Sequence, residues 1–145
     1  MTAAYTPYAI QHINLSVPAG TLHLAEEFYG GVIGFPSDPV PSLQRDSLRW
    51  FRVGAGPQQI HISFDAPTRP DTRAHPCFSL PSPEALNALQ TRIWEHRAKG
   101  GPAAALDADR PGQENSGSKG VEYPTRFFAR DYAGNRLEFN VHPQA

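Results

Sequence analysis

The chain has 145 residues, 15 of them proline and 12 glycine, a density of turn-formers within one domain's length that excludes a bundle of long helices. Thirteen Lys and Arg against fourteen Asp and Glu leave a net charge of −1 with no basic stripe or cationic helix, so neither nucleic acid nor a membrane is expected as a partner. The one cysteine, Cys77, excludes a disulfide framework and a cysteine-rich zinc site, and Met1–Tyr8 lacks a signal-peptide pattern, so a soluble cytoplasmic protein is expected.

Apolar and polar residues alternate over Ile10–Val17, which predicts a half-buried strand. Ile13, Leu15 and Val17 share one face of it, and His12, Asn14 and Ser16 the other. A helix follows, with Thr21 as its expected cap and Leu22, Ala25, Tyr29 and Val32 on one side. A hairpin turning at Gly54–Pro57 then leads into a strand where Ile60, Ile62 and Phe64 oppose Gln59, His61 and Ser63.

The second half reads the same way. Ala74–Leu80 predicts a strand with Phe78 and Leu80 opposite His75, Cys77 and Ser79. Ser82 and Pro83 open a helix on which Leu86, Leu89 and Ile93 recur at helical spacing, and Gly100-Gly101 ends it. After a polar stretch, Asp107–Tyr123, a last hairpin turns at Asp131–Asn135. Its final strand sets Leu137, Phe139 and Val141 against Arg136, Glu138 and Asn140.

The halves also match residue for residue. His12-Ile-Asn-Leu-Ser-Val-Pro18 pairs with His75-Pro-Cys-Phe-Ser-Leu-Pro81. Arg49-Trp50-Phe51 pairs with Arg126-Phe127-Phe128, and Gln59–Phe64 with Arg136–Val141. These matches in the same order favour a duplicated unit. The duplication places His12, His61, His75 and Glu138 at equivalent points, all on the face away from the helices. Three imidazoles and a carboxylate suit Zn, Fe, Mn, Ni or Co better than Ca, which takes oxygen ligands. His23 and His96 are expected to be solvated on helices and His142 to lie in the tail. Cys77 reads either as a small buried residue or as part of a pocket wall beside His75.

His12-Ile-Asn-Leu-Ser-Val together with Asp131-Tyr-Ala-Gly-Asn-Arg-Leu-Glu138-Phe resembles the vicinal oxygen chelate superfamily, which holds glyoxalase I, fosfomycin-resistance proteins, extradiol dioxygenases and bleomycin-resistance proteins. Ala25-Glu-Glu-Phe-Tyr29 with Val32-Ile-Gly-Phe35 is similar to its first helix end, and the likeness spans Ile10 to His142. The resemblance implies an α+β fold of two βαβββ modules, about 9–65 and 73–142, whose curved mixed sheets surround a cup in a single domain. It implies one divalent transition metal (Zn, Ni, Fe, Mn or Co) on His12, His61, His75 and Glu138. It also implies a homodimer in which a cup can combine modules of two chains.

Three residues depart from the family pattern: His61 stands in place of a carboxylate, Pro76 follows His75, and Tyr132 replaces the usual turn proline. The function expected is a metal-dependent lyase or isomerase acting on a small substrate with vicinal oxygens, Glu138 moving the proton alpha to a carbonyl. Asn14, Cys77, Arg126 and Asn140 are the expected substrate contacts, and Arg52, Arg126 and Arg130 are candidates for holding an anion. The polar loop Gln113–Tyr123, with Ser116, Ser118 and Lys119, is similar to the phosphonate-binding segment of thiol-transfer resistance enzymes. The alternatives are an iron(II) extradiol-type dioxygenase and a metal-free antibiotic-binding protein.

Overall fold

Strand alternation in two places, each followed by a helix, produces two four-stranded mixed sheets. The computed structural model describes residues 4–118 and 125–141; Lys119, Tyr123 and His142 lie outside them. The first sheet holds β1 (His12–Ser16), β2 (Ser37–Asp38), β3 (Leu48–Arg52) and β4 (Gln59–Ser63), in the order β1-β4-β3-β2. The second holds β5 (Cys77–Leu80), β6 (Asp107–Ala108), β7 (Arg126–Arg130) and β8 (Arg136–Val141), in the equivalent order β5-β8-β7-β6. In each sheet the first strand runs parallel to the last, and the others pair antiparallel. A parallel pair needs a crossover, which the intervening helix supplies.

The apolar parity of each strand packs beneath its helix. Phe28, Tyr29, Phe51, Ile60 and Ile62 are fully buried, as are Phe127, Leu137 and Phe139 in the second half. The first helix, α1, begins at Leu22–Ala25 and continues as wider π-helical turns over Glu26–Ile33. The Gly34 N–H donates to the Tyr29 carbonyl at 3.2 Å, and Gly34 ends the element at φ +94°, a conformation glycine adopts without strain. Thr21 stands at the start of this helix but does not cap it; its hydroxyl donates to the Pro18 carbonyl at 2.6 Å. The second helix, α2 (Pro83–Lys99), is capped as expected, Ser82 Oγ accepting from the Ala85 N–H at 3.1 Å.

Polar contacts lock the halves together. Arg92 of α2 donates to the Val32 and Gly31 carbonyls at the end of α1, at 3.0 and 2.8 Å. His96, expected to be solvated, instead meets Glu27 at 2.6 Å with a largely buried ring. In the β7–β8 turn Asp131 is fully buried, and its carboxylate accepts from the Tyr29 hydroxyl at 2.6 Å. It also accepts from the Ala133 and Asn135 backbone N–H groups and from Asn135 Nδ2, each at 2.9 Å. Tyr132 donates to the Thr21 carbonyl at 2.9 Å, and Asn135 Nδ2 to that of Ser16 at 2.9 Å. The proline-to-tyrosine departure at Tyr132 therefore creates a tie between modules. Burial pushes the Tyr132 phenol up to about 12.

Candidate metal centre

Strand pleat decides what the sheet faces away from the helices carry. On the first sheet, register sets His61 beside Asn14 of β1 and opposite Trp50 of β3. The His61 ring is sandwiched, 4.0 Å from His12 and 4.4 Å from Trp50, and nearly parallel to both. Gln59 fixes its tautomer. The Gln59 amide NH2 donates to Asp38 at 2.8 Å, which turns its carbonyl oxygen toward His61 Nε2 at 2.9 Å. Nε2 therefore carries the proton and Nδ1 keeps the free lone pair. Arg52 holds Asp38 in turn at 2.6 Å, so this guanidinium is committed to an ion pair. The Gln59 hydrogen bond, together with Arg52, keeps the Asp38 carboxyl below its ordinary range.

Burial, and then the neighbouring His12, push the His61 imidazole below its ordinary value of 6.5. The neutral form that a metal ligand must present is thus favoured. A depressed folded value means that His61's contribution to stability is full above pH 6.5 and is lost as the pH falls through the folded value. In a proton NMR titration of metal-free protein, His61 is expected to titrate below 6.5. Trp50→Ala, which exposes the ring, should raise that midpoint; an unchanged midpoint would refute burial as the cause.

On the second sheet, Glu138 of β8 is buried and lies opposite Cys77 of β5. Pro76 starts this strand late, so β5 begins at Cys77 and His75 precedes it, while the Pro76 carbonyl accepts from the Glu138 N–H at 3.1 Å. His75 nonetheless points at the acid, with Nε2 3.1 Å from Glu138 Oε1. Its Nδ1 lies 2.8 Å from the Arg73 carbonyl, an acceptor only, so Nδ1 carries the proton of the neutral ring. Nε2 and Oε1 then face each other at a distance that either a second proton on the pair or a metal cation beside it can bridge. Their spacing is that of two donors sharing one ion through bonds of about 2.1 Å at nearly a right angle. The donor set therefore fits a transition metal.

Cys77, one of whose two expected placements was burial, is exposed, and its thiol donates to Glu138 Oε2 at 3.1 Å. Of the other expected substrate contacts, Asn14 accepts from the Ser63 hydroxyl at 3.2 Å and Asn140 from that of Thr125 at 3.3 Å. Arg126 bonds Asn115 at 3.4 Å and the Ser118 carbonyl, and lies over the Phe128 ring at 5.2 Å. Phe128 also presents itself edge-on to His75, with 5.4 Å between ring centroids.

The four predicted ligands fall into two pairs, His12 with His61 and His75 with Glu138. Among the described residues no three potential ligands gather into one group within the chain. His12 and His75 instead border a cleft of about 750 Å³ between the edge strands β1 and β5, with Val53, Gln59, Cys77 and Phe78. Sequence reasoning missed Trp50, Gln59 and Asp38 as the groups that orient His61.

Two sheets of matching strand order, each carrying a pair of potential ligands, have counterparts among solved structures. A glyoxalase family protein from Bacillus anthracis aligns at 25% identity with a TM-score of 0.67, over 94% of this chain and 97% of that one. The chain has the fold of the vicinal oxygen chelate superfamily. The fosfomycin resistance protein FosX from Listeria monocytogenes aligns at 14% identity with a TM-score of 0.68, over 95% of this chain and 94% of its own. Lactoylglutathione lyase from Agrobacterium tumefaciens does so at 20% and 0.61, over 94% and 96%. FosX has been solved complexed with Mn(II) and sulfate, and as a mutant with Mn(II) and a dihydroxypropylphosphonic acid. No family model and no curated protein matches the sequence. No helix among the described residues of this glyoxalase-like fold is long and apolar enough to cross a membrane.

Proposed function

We propose that the protein is a divalent-metal-dependent lyase or isomerase of the glyoxalase type, acting on a small substrate with vicinal oxygens. The observation that carries this reading is the His75–Glu138 pair, an imidazole nitrogen and a carboxylate oxygen held 3.1 Å apart. His75 and Glu138 of one copy would hold the metal together with His12 and His61 of a second copy in a homodimer. The stacked His12 and His61 rings keep their lone pairs in nearly parallel planes 4.0 Å apart at the centroids, so joint ligation requires one ring to turn. When bound, the ion supplies Lewis acidity to two neighbouring substrate oxygens.

Within the chain's own residues, the Arg73 carbonyl aims His75, and the Arg52–Asp38–Gln59 chain aims His61. Glu138 Oε1 faces the ligand side, and Oε2, held by the Cys77 thiol, is the atom that takes the proton alpha to a carbonyl. Phe128 packs beside His75 and limits the ring's freedom to turn.

Complementation tests the shared site. His12→Ala and Glu138→Gln proteins should each lack stoichiometric metal. Mixed and allowed to exchange subunits, they should regain it in the heterodimer, where one of the two sites inherits intact halves from both chains. Elemental analysis and activity are expected to recover to about a quarter of the wild-type level at random exchange. No recovery from a mixture proven to contain heterodimer would place the site within one chain.

A further inference from the structure

Of the four predicted ligands, His12, His61 and Glu138 lie within strands, but His75 does not. β5 starts only at Cys77, and Pro76 has no N–H to give a ladder, so strand pairing does not fix the backbone at His75. Its ring is nonetheless directed, with Nδ1 on the Arg73 carbonyl and Nε2 on Glu138. Some other support must set that direction.

The support is the segment before it, 69–74, which lies against the β7–β8 turn. Arg130, the last residue of β7, donates through Nη1 to the Thr72 carbonyl at 2.8 Å and to the Gly134 carbonyl at 2.9 Å. One nitrogen thus ties segment and turn together. Gly134 stands at φ +91°, and a Cβ there would run into Pro70 Cα and Cβ, so turn and segment meet backbone to backbone. Within the segment, the Thr72 N–H donates to the Arg69 carbonyl at 3.0 Å, and Thr72 Oγ1 accepts from the Ala74 N–H at 3.1 Å. These bonds carry the fixed position of Thr72 on to Arg73, whose carbonyl takes the His75 Nδ1 proton at 2.8 Å. On the other side of His75, the Pro76 carbonyl is held by the Glu138 N–H. Asp107 stands opposite Arg130 across the β6–β7 pair and, with Asp109, lines the same small hollow. Arg130 therefore acts through where its donors sit, not through an unmet charge.

We propose that Arg130 is a positioning residue: by clamping the 69–74 segment onto the β7–β8 turn, it aims His75 at Glu138. As the aim of a metal ligand the clamp rests on the metal-dependent reading, whereas its bracing of the imidazole does not. The turn it grips is the one built around buried Asp131 and tied to Tyr29, so the packing of the two modules reaches His75 through the same contacts.

The test uses full-length, metal-free protein, with the His75 Nδ1–H resonance followed by proton–nitrogen NMR. Wild type should show that proton protected from exchange by its carbonyl partner. Arg130→Met removes both donors and should broaden the resonance beyond detection. Arg130→Lys, whose single nitrogen can serve both carbonyls, should restore it. Thr72→Val, which keeps the side chain's shape and frees the Ala74 N–H, should reduce the protection and Thr72→Ser should recover it; this pair decides the matter if Arg130→Met does not fold. Mn(II) titrations run alongside should show affinity at least tenfold weaker in Arg130→Met and within about threefold of wild type in Arg130→Lys. No protected His75 proton in wild type, an undiminished one in both Arg130→Met and Thr72→Val, or no rescue by lysine would overturn the clamp. A wild-type protein that takes no Mn(II), while its His75 resonance still depends on Arg130, sinks the metal reading and leaves the clamp standing. Mn(II) bound equally tightly by wild type and Arg130→Met sinks the positioning role alone.

Discussion

Glu138→Gln is expected to strip the protein of stoichiometric metal and to lower turnover by about a hundredfold to ten-thousandfold. The substitution keeps size and shape, so Cys77 can still donate to the amide oxygen and the fold is preserved. What it removes is the negative charge opposite His75 Nε2 and the only carboxylate in the predicted ligand set. Two losses coincide: a hard anionic ligand becomes a neutral one, and the atom assigned to the proton can no longer accept it. Elemental analysis of tag-free protein, a Mn(II) titration and the rate of product formation read these separately. Full metal occupancy with lost turnover would assign Glu138 to proton transfer alone. Unchanged occupancy together with unchanged turnover would remove it from the site.

Asp131→Ala should be the most damaging single change to stability, costing about 3–4 kcal/mol and lowering Tm by about 10 °C. The carboxylate is fully buried and satisfies four donors, from Tyr29, Ala133 and both N–H groups of Asn135. Alanine leaves them without a partner in a site closed to water, and the β7–β8 turn loses its internal brace. Asp131→Asn, which keeps one acceptor for the two backbone donors, should cost about half as much. Urea denaturation of the metal-free protein measures both, and a loss under 1 kcal/mol for the alanine variant would contradict the hub role.

The pH dependence follows from the same group. Burial pushes the Asp131 carboxyl above its ordinary 3.8, partly offset by the hydrogen bonds from Tyr29, Asn135 and Ala133. The folded state then holds the proton more tightly than the unfolded one. This contribution is full below 3.8 and declines as the pH rises through the folded value.

Much of the fold was readable because strand parity has a period of two residues. The alternation of His12, Asn14 and Ser16 with Ile13, Leu15 and Val17 already separated the cup face from the helix face, and Glu138 fell on the correct side for the same reason. Leu86, Leu89 and Ile93 were assigned to the core by helical spacing, and all three are buried. The packing of the two modules was not readable. It is set by single contacts such as Tyr29 to Asp131 and Tyr132 to Thr21, which have no periodicity and join residues more than a hundred positions apart. Whether the four ligands meet within one chain or across two was not readable either, and among the described residues they fall into two pairs. Trp50 entered the sequence reading only as an anchor of the repeat. Recognising it as His61's stacking partner required the β3–β4 register, which the Gly54–Pro57 turn determines.

The pairing of ligands within each chain has a thermodynamic consequence under the two-copy site. If each copy holds two halves of different sites, metal capture and self-association become one linked equilibrium. Diluting the protein would then release its metal, and adding metal would sharpen the dimer at a fixed protein concentration. At low occupancy the concentration of loaded sites would follow the square of the monomer concentration rather than its first power, so the protein's own abundance would govern how much of it is loaded.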